Sequence, residues 1–326
     1  MIEVTHPFGV ETDWIEKMAV EMGGYVEGNY TIVPNEIHTG TRYTLAINKD
    51  ITVLLADVTY HQDVLFKLRN NKTDFAGIYF NLTEGESIHI MDEVSRPVGR
   101  WNYNLAIVDA HLDLDYLVKA GSKSYNISIF VKKRMLREYL AKMGILNKVL
   151  DTIFDEALNT IIHYDHMSGT SWHIINEFRK LIPGSVAYDL FLSATVYNLL
   201  SDYLEHLMKR EILIGKLSST DVSQIMASQA SLTKDVTGVF PGIASLASQA
   251  CMSETKYKML YKKITGFSPN SFFLNNKLEM SRELLASGQY TVGEISDKLN
   301  FTNASHLTEL FKNHFGVLPK DYLTLL

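Results

Sequence analysis

Two ten-residue phrases constrain this chain more than anything else in it. LYKKITGFSP at 260–269 and LFKNHFGVLP at 310–319 share one pattern: Leu, an aromatic residue, Lys, three free positions, Gly, two free positions, Pro. In each, the Gly falls where a helix ends on a residue tolerant of positive φ. The Pro three residues later cannot extend that helix and fixes the chain's exit. Leu260 and Tyr261, like Leu310 and Phe311, put adjacent apolar groups on an inner face. Lys262 and Lys312 follow near the helix C-terminus, where a cation is favoured.

A shorter helix precedes each phrase. IASLASQA leads through a turn at Cys251-Met252 into SETKYKMLYKKI, which starts on an N-cap at Ser253. VGEISDKL leads through Asn300-Phe301-Thr302 into NASHLTELFKNHF, capped by Asn303. A short helix, a tight turn and a second helix with an exposed face make a helix-turn-helix, whose second helix can enter the major groove of DNA.

Helical periodicity sorts the positions of each second helix. In the first, Tyr257, Leu260, Tyr261 and Ile264 recur at i, i+3, i+4 and i+7 and face inward. Thr255, Lys258, Met259 and Lys262 then face outward, with Lys256 to the side and Lys263 adding to the positive charge. In the second, Leu307, Leu310 and Phe311 are core, leaving Ala304, Ser305, His306 and Glu309 outward with Lys312 beyond and His314 beside it. A lysine at 258 can donate to a guanine edge, and Met259 can lie against a thymine methyl. Glu309 can accept from cytosine N4 but repels phosphates. The first helix therefore supplies more of the affinity and the second adds modest readout.

The last third of the chain resembles the DNA-binding domain of the AraC/XylS family of transcriptional regulators. The resemblance rests on Leu246-Ala247, the Ser253 cap, both copies of the phrase, the connector KLEMSRELLASG with Ser281 in place of the usual alanine, and the terminal PKDY. Asn300-Phe301 stands where the family often has Gly-Phe, and His306-Leu307 where a Ser-aromatic pair is common. Asparagine also tolerates positive φ, so the turn should survive. Carried over residue by residue, the family's base-reading positions fall on Thr255, Lys258 and Met259, then on Ala304, Ser305, His306 and Glu309. Two such helices on one rigid domain would meet successive major grooves about 34 Å apart on one face of the duplex.

The rest of the chain is organised differently. Residues 218–326 carry 10 Lys+Arg and 9 Asp+Glu, a balance of +1, whereas the first 217 carry 21 and 28, a balance of −7; such asymmetry suggests separate jobs. Up to residue 131 the pattern is β, with candidate strands at 51–58, 74–82, 87–91, 101–109 and 125–131 separated by turn signals. In YNISIFV the alternation of Tyr125, Ile127, Ile129 and Val131 predicts a half-buried strand. From Lys132 the period becomes helical: KKRMLREYLAKMG ending at Gly144, a stripe with apolar pairs at 149/150, 153/154, 157/158 and 161/162, SWHIINEFRKLIPG, and a long helix over 186–213. The expected architecture is α+β and multidomain: a β sandwich or barrel over 1–131, a helical linker or dimerisation region over 132–217, and an all-α double helix-turn-helix over 218–326 with modules at about 243–265 and 292–315. The resemblance implies that the β region is cupin-like and senses a small effector or a partner, or dimerises. It also implies double-stranded DNA as a partner, a homodimer, and contact with RNA polymerase.

Other chemistry finds little support. A lone cysteine, Cys251, makes no internal disulfide and no Cys-x-x-Cys pattern exists, which fits a reducing cytoplasm. No signal peptide or apolar run of membrane-spanning length is visible. Cupin metal sites need a His-x-His with a following Glu and a later His, whereas His38, His61 and His89 are isolated. His163 and His166 share a face of the expected helix with His173 nearby, a conceivable divalent site set against the plainer reading of solvated residues. Tyr79, Trp101 and Tyr103 are candidates to line an apolar ligand pocket, with core packing the alternative. No nucleophile elbow appears, and Cys251 reads as a small buried turn residue. Neither catalysis nor a cofactor is expected; the alternative is an enzyme with an appended DNA-binding tail, and a third reading gives the front only dimerisation or a protein partner.

Overall fold

ITVLLADV is apolar on both alternating sets of positions, the pattern of a strand covered on two faces rather than one. In the computed structural model, which describes residues 1–91, 94–100, 103–208, 215–234, 236–315 and 317–323, that strand lies inside a sheet with a layer on either side. The chain divides into two compact units, Met1–Ser223 and Gln224–Leu326.

The first unit opens with β1 (Ile2–His6), α1 (Trp14–Glu21), β2 (Tyr25–Glu27), β3 (Tyr30–Ile32), β4 (His38–Asn48), β5 (Ile51–Tyr60) and β6 (Val64–Leu68). It continues with β7 (Phe75–Asn81), β8 (Ser87–Met91), β9 (Val94–Val98), β10 (Leu105–Asp109), β11 (Leu114–Val118) and β12 (Lys123–Lys132). Then come α2 (Lys133–Lys142), α3 (Asn147–Phe154), β13 (Ile162–Asp165), α4 (Gly169–Phe178) and α5 (Tyr188–Met208). The strands form a five-stranded sheet, β1-β6-β11-β8-β9, and an eight-stranded sheet, β13-β10-β7-β12-β5-β4-β3-β2. β1 pairs with β6 in parallel; the other pairings of named strands are antiparallel.

Two cores follow from the strand period of two. Leu54, Ala56, Val58 and Phe130 of the large sheet meet Val4, Val64, Phe66 and Val118 of the small one. The alternate positions Ile51, Val53, Leu55, Ile127, Ile129 and Val131 face the other way, under Leu136, Leu150, Ile175, Leu192, Val196 and Leu199 of the helices. The helices after Lys132 thus share a core with the sheet. β12 is covered on both faces, not half-buried as its alternation suggested.

Several expected elements change. The stripe over 147–163 is cut: α3 ends at Phe154, where Asp155 Oδ1 accepts from Ala157 N at 2.8 Å to make a turn. Ile162 to Asp165 then run extended along β10, pairing with Val108 to Leu105. β-branched Ile161 and Ile162 lose side-chain freedom in a helix, and the edge of β10 offers their backbone a ladder instead. His163 and His166 therefore do not share a helix face. α5 is described only to Met208, so the end of the expected helix over 186–213 lies outside the described residues.

The second unit contains most of α6 (Ser219–Lys234), then α7 (Ile243–Gln249), α8 (Glu254–Thr265), α9 (Pro269–Ala286), α10 (Val292–Lys298), α11 (Ala304–Phe315) and α12 (Pro319–Leu323). α6 starts where Ser218 Oγ accepts from Asp221 N at 3.0 Å, the N-cap its sequence announces. No helix among the described residues is long and apolar enough to cross a membrane.

Candidate nucleic-acid interface

The duplicated phrase becomes a duplicated piece of backbone. α7 closes with Cys251 N donating to Ser248 O and Met252 N to Ala247 O; α10 closes with Asn300 N donating to Asp297 O and Phe301 N to Ser296 O. Cys251 and Asn300 both stand at φ +51°, the only described non-glycine residues with positive φ. Asparagine thus does hold the turn where the family favours Gly. Cys251 is exposed in its turn, against the expectation of burial.

Each second helix is then capped alike. Ser253 Oγ accepts from Lys256 N at 3.3 Å, and Asn303 Oδ1 accepts from His306 N at 2.9 Å. The second turn holds one more residue between its left-handed position and its cap than the first. α10 adds a capping box, with Thr291 Oγ1 and Glu294 serving each other's backbone N–H. Gly266, at φ +76°, ends α8 at the expected place.

The inner faces pack as the periodicity requires. Tyr257, Leu260, Tyr261 and Ile264 are at most 1% exposed, and Tyr257 shares a 2.6 Å hydrogen bond with Ser228 of α6. Burial pushes the Tyr257 phenol up to about 12, so it stays a neutral hydrogen-bonding group. Leu307 and Phe311 join Leu278, Leu285, Ile295 and Leu299 in the core of the second module, with Leu310 packed at its edge. α9 serves both modules: Phe272 meets Tyr261 at 5.8 Å, and Leu278 and Leu285 lie against α10 and α11. At 18 residues it is a strut of about 27 Å. Ser281, replacing a small apolar residue, is fully buried, and its hydroxyl donates to Leu278 O at 2.7 Å.

The outer faces are open. Thr255, Lys256, Lys258, Met259 and Lys262 of α8 are exposed, as are Ser305, His306, Glu309 and Lys312 of α11, with Ala304 partly so. Lys263 breaks from the expected set: it is only 9% exposed, because it follows Lys262 by one residue and the 100° step turns it toward the inner face beside Ile264. It does not belong to the exposed surface of α8.

The candidate pocket residues separate. Tyr79 lines a cavity of about 50 Å³ between the two sheets of the first unit. Tyr103 does not line it; its ring stacks on His166 at 5.6 Å and lies 4.8 Å from the Arg96 guanidinium carbon. Trp101 lies outside the described residues. Sequence reading overlooked Arg42, Asn81 and Asn126, which reach the cavity with Ser128. The available signal was the polar alternation within YNISIFV, whose Asn126 and Ser128 point into the cavity, not to solvent. His38 and His89 are buried and His61 bonds Thr39 at 3.0 Å; no group of three potential metal ligands occurs among the described residues.

Two helix-turn-helix modules on a common strut place the second unit in the class of double helix-turn-helix domains. Residues 246–324 match the family described as a helix-turn-helix domain. The HTH-type transcriptional regulator AlkR of Acinetobacter baylyi is 24% identical over 177 residues, 51% of this chain and 56% of its own length. The HTH-type transcriptional regulator YidL of Escherichia coli is 32% identical over 81 residues, 25% of this chain and 27% of its own. The transcriptional activator CsvR of E. coli is 24% identical over 228 residues, 61% and 78% respectively. The chain thus spans about half or less of the length of the first two relatives. Among solved structures, the DNA-binding domain of AdpA in complex with a target DNA is similar to 31% of the chain at 20% identity, covering 91% of that chain with a TM-score of 0.30. ToxT from Vibrio cholerae aligns with 81% of this chain and 98% of its own at 14% identity, TM-score 0.31. The C-terminal unit is a helix-turn-helix domain of the AraC/XylS type.

Proposed function

We propose that the chain is a sequence-specific, DNA-binding transcriptional regulator of AraC type, whose two recognition helices, α8 and α11, enter successive major grooves. The carrying observation is the pair of modules on α9, each with its apolar face spent on packing and its polar face exposed. Thr255, Lys258 and Met259, then Ala304, Ser305, His306 and Glu309, are the proposed base-edge readers; Lys256, Lys262 and Lys312 are the proposed phosphate contacts. The first unit acts as a cupin-like sensor of a small effector. It pairs two copies through α5, whose Leu190 and Phe191 are 73% and 50% exposed. RNA polymerase is the proposed downstream partner.

The test is selection of operator DNA from a random pool by the full chain, followed by footprinting. Two protected major-groove segments one helical turn apart are expected. Lys258→Ala should cost about 1–3 kcal/mol on the best site. Retained affinity in Lys258→Ala with loss in Glu309→Ala would reverse the assigned ranking of the modules. Absence of any sequence preference would refute the function itself.

A further inference from the structure

We infer that the cavity between the two sheets of the first unit binds a short-chain monocarboxylate, whose carboxylate is held by the guanidinium of Arg42. This rests on the reading of that unit as a sensor and gives its ligand a chemical class.

The register builds the site. Arg42 pairs with Ala56, Ala56 with Asn126, and Asn126 with Asn81, so one row across β4, β5, β12 and β7 reads cation, gap, amide, amide. Side chains of a row share a face, and all four line the cavity. Ala56 leaves the space that a larger side chain would fill. Asn81 and Asn126 both donate to Tyr116 Oη, at 3.2 and 3.1 Å. That phenol is thereby held with its own proton directed elsewhere, and Thr83 Oγ1 is a distant partner at 3.4 Å.

Arg42 is the group that this row leaves unbalanced. It is 4% exposed, donates to Tyr60 Oη at 2.8 Å and lies 5.3 Å from the Phe66 ring centre. Among the described residues its Nε has no hydrogen-bond partner. Among the described residues no carboxylate comes within 4.0 Å of it, and no acidic side chain lines the cavity. Its neighbours His6 and His38 respond to burial, and to Arg42 itself, by losing their charge: their pKa values fall to about 4 and about 3. A guanidinium has no such escape. A buried charge without a counter-ion is costly, and an entering anion relieves that cost.

Charge and shape select the anion. One fixed cation matches one negative charge and leaves a phosphate dianion half-neutralised. The planar fork of arginine pairs with a carboxylate through two parallel hydrogen bonds. The remaining walls include Leu54, Phe66, Tyr79 and Leu114, which suit a hydrocarbon body, and a volume of about 50 Å³ limits that body to a few carbons.

Calorimetric titration of the full chain with propionate and butyrate tests this, with propionamide and inorganic phosphate as controls. Both acids are expected to bind and to raise the thermal midpoint; the amide and phosphate are not. Arg42→Met should fold at least as stably without ligand, since it removes a lone buried charge, and should bind propionate at least about tenfold more weakly. Tyr60→Phe keeps the charge, frees one guanidinium donor and should change affinity only a few-fold; if Arg42→Met does not fold, the acid–amide comparison in wild type and Tyr60→Phe decides. Failure of both acids to bind wild type, equal binding to Arg42→Met, or amide binding as tight as acid binding overturns the inference. Operator binding measured on the same preparations separates the two claims: intact DNA recognition without acid binding sinks only this one. Acid binding without DNA recognition sinks the proposed function and leaves the cavity assignment standing.

Discussion

The burial difference between Lys262 and Lys263 makes a sharp prediction about salt. Each lysine that neutralises a phosphate releases counter-ions and contributes about 0.9 to the slope of log affinity against log salt concentration. α8 exposes Lys256, Lys258 and Lys262, whereas Lys263 is 9% exposed. Replacing Lys256 and Lys262, the two assigned to phosphates, with alanine should lower the slope by up to about 1.8, so that over a fourfold rise in salt wild type loses about 12-fold more affinity than the variant. Lys262→Ala alone should remove about 0.9, and so should Lys312→Ala on α11. Lys263→Ala should leave the slope unchanged while lowering the melting temperature, because its aliphatic stem packs inside the module. Fluorescence anisotropy on a fixed operator duplex across a salt series measures all of these. A Lys263→Ala slope as reduced as that of Lys262→Ala, or a Lys256/Lys262 double variant with the wild-type slope, refutes the assignment of these α8 lysines to the phosphate backbone.

Three further outcomes follow from packing, backbone and titration. Phe311→Ala removes a fully buried ring 4.4 Å from Phe315 and 5.8 Å from Tyr322. It should cost about 3–5 kcal/mol in urea unfolding and abolish α11-dependent footprints; a loss below about 1 kcal/mol contradicts the packing described. Cys251→Gly relieves a left-handed residue and should gain up to about 1 kcal/mol, after the added backbone entropy of the unfolded chain. Asn300→Gly should gain less, because Asn300 Nδ2 donates to Thr237 O at 2.6 Å, and equal gains in the two variants would refute this asymmetry. His6, His38 and His89 are held by burial at about 4, about 3 and about 3, below the ordinary imidazole value of 6.5. The unfolded rings take up protons first as pH falls through about 6.5, so stability is full above that value and declines toward pH 4, on the order of 2 kcal/mol per ring by about pH 5. A thermal midpoint of the first unit that stays flat from pH 7 to about 4.5 would contradict the burial of these rings.

Local signals in the sequence carried the second unit almost complete. Gly266, Ser253 and Asn303 act at helix ends through hydrogen bonds to residues within four positions, so their roles can be read without knowing the fold. The outward set of α8 held, but Lys263, added to the DNA-contacting lysines for its charge alone, lies inside because the helical step puts it there. The first unit was less legible because its determinants are distant pairings. β4 contains Arg42, Thr44 and Asn48 between apolar residues and reads as neither strand nor helix, yet its ladder to β5 is among the longest in the sheet. Ile162 gave a helical stripe that the edge of β10 overrode. The cavity row was beyond reach, since Arg42 and Asn126 lie 84 positions apart and meet only through the register of Ala56.

What the duplication keeps and what it changes separates holding from reading. The inner faces align at an offset of fifty: Tyr257 with Leu307, Leu260 with Leu310, Tyr261 with Phe311. The extra residue of the second turn is therefore absorbed before the cap, and the phase of α11 on its core is that of α8. At the same offset Lys262 meets Lys312, both exposed, one turn from the helix end. The intervening outward pair is not kept: Lys258 and Met259 correspond to Thr308 and Glu309, and the Thr308 hydroxyl is turned back to Ala304 O at 2.8 Å. On the proposed roles, a guanine-and-methyl reader on α8 has a cytosine acceptor as its counterpart on α11. In the proposed mode the two modules grip the backbone alike while asking different bases, so the operator half-sites of one chain should not repeat each other, and a palindrome would have to come from a second chain.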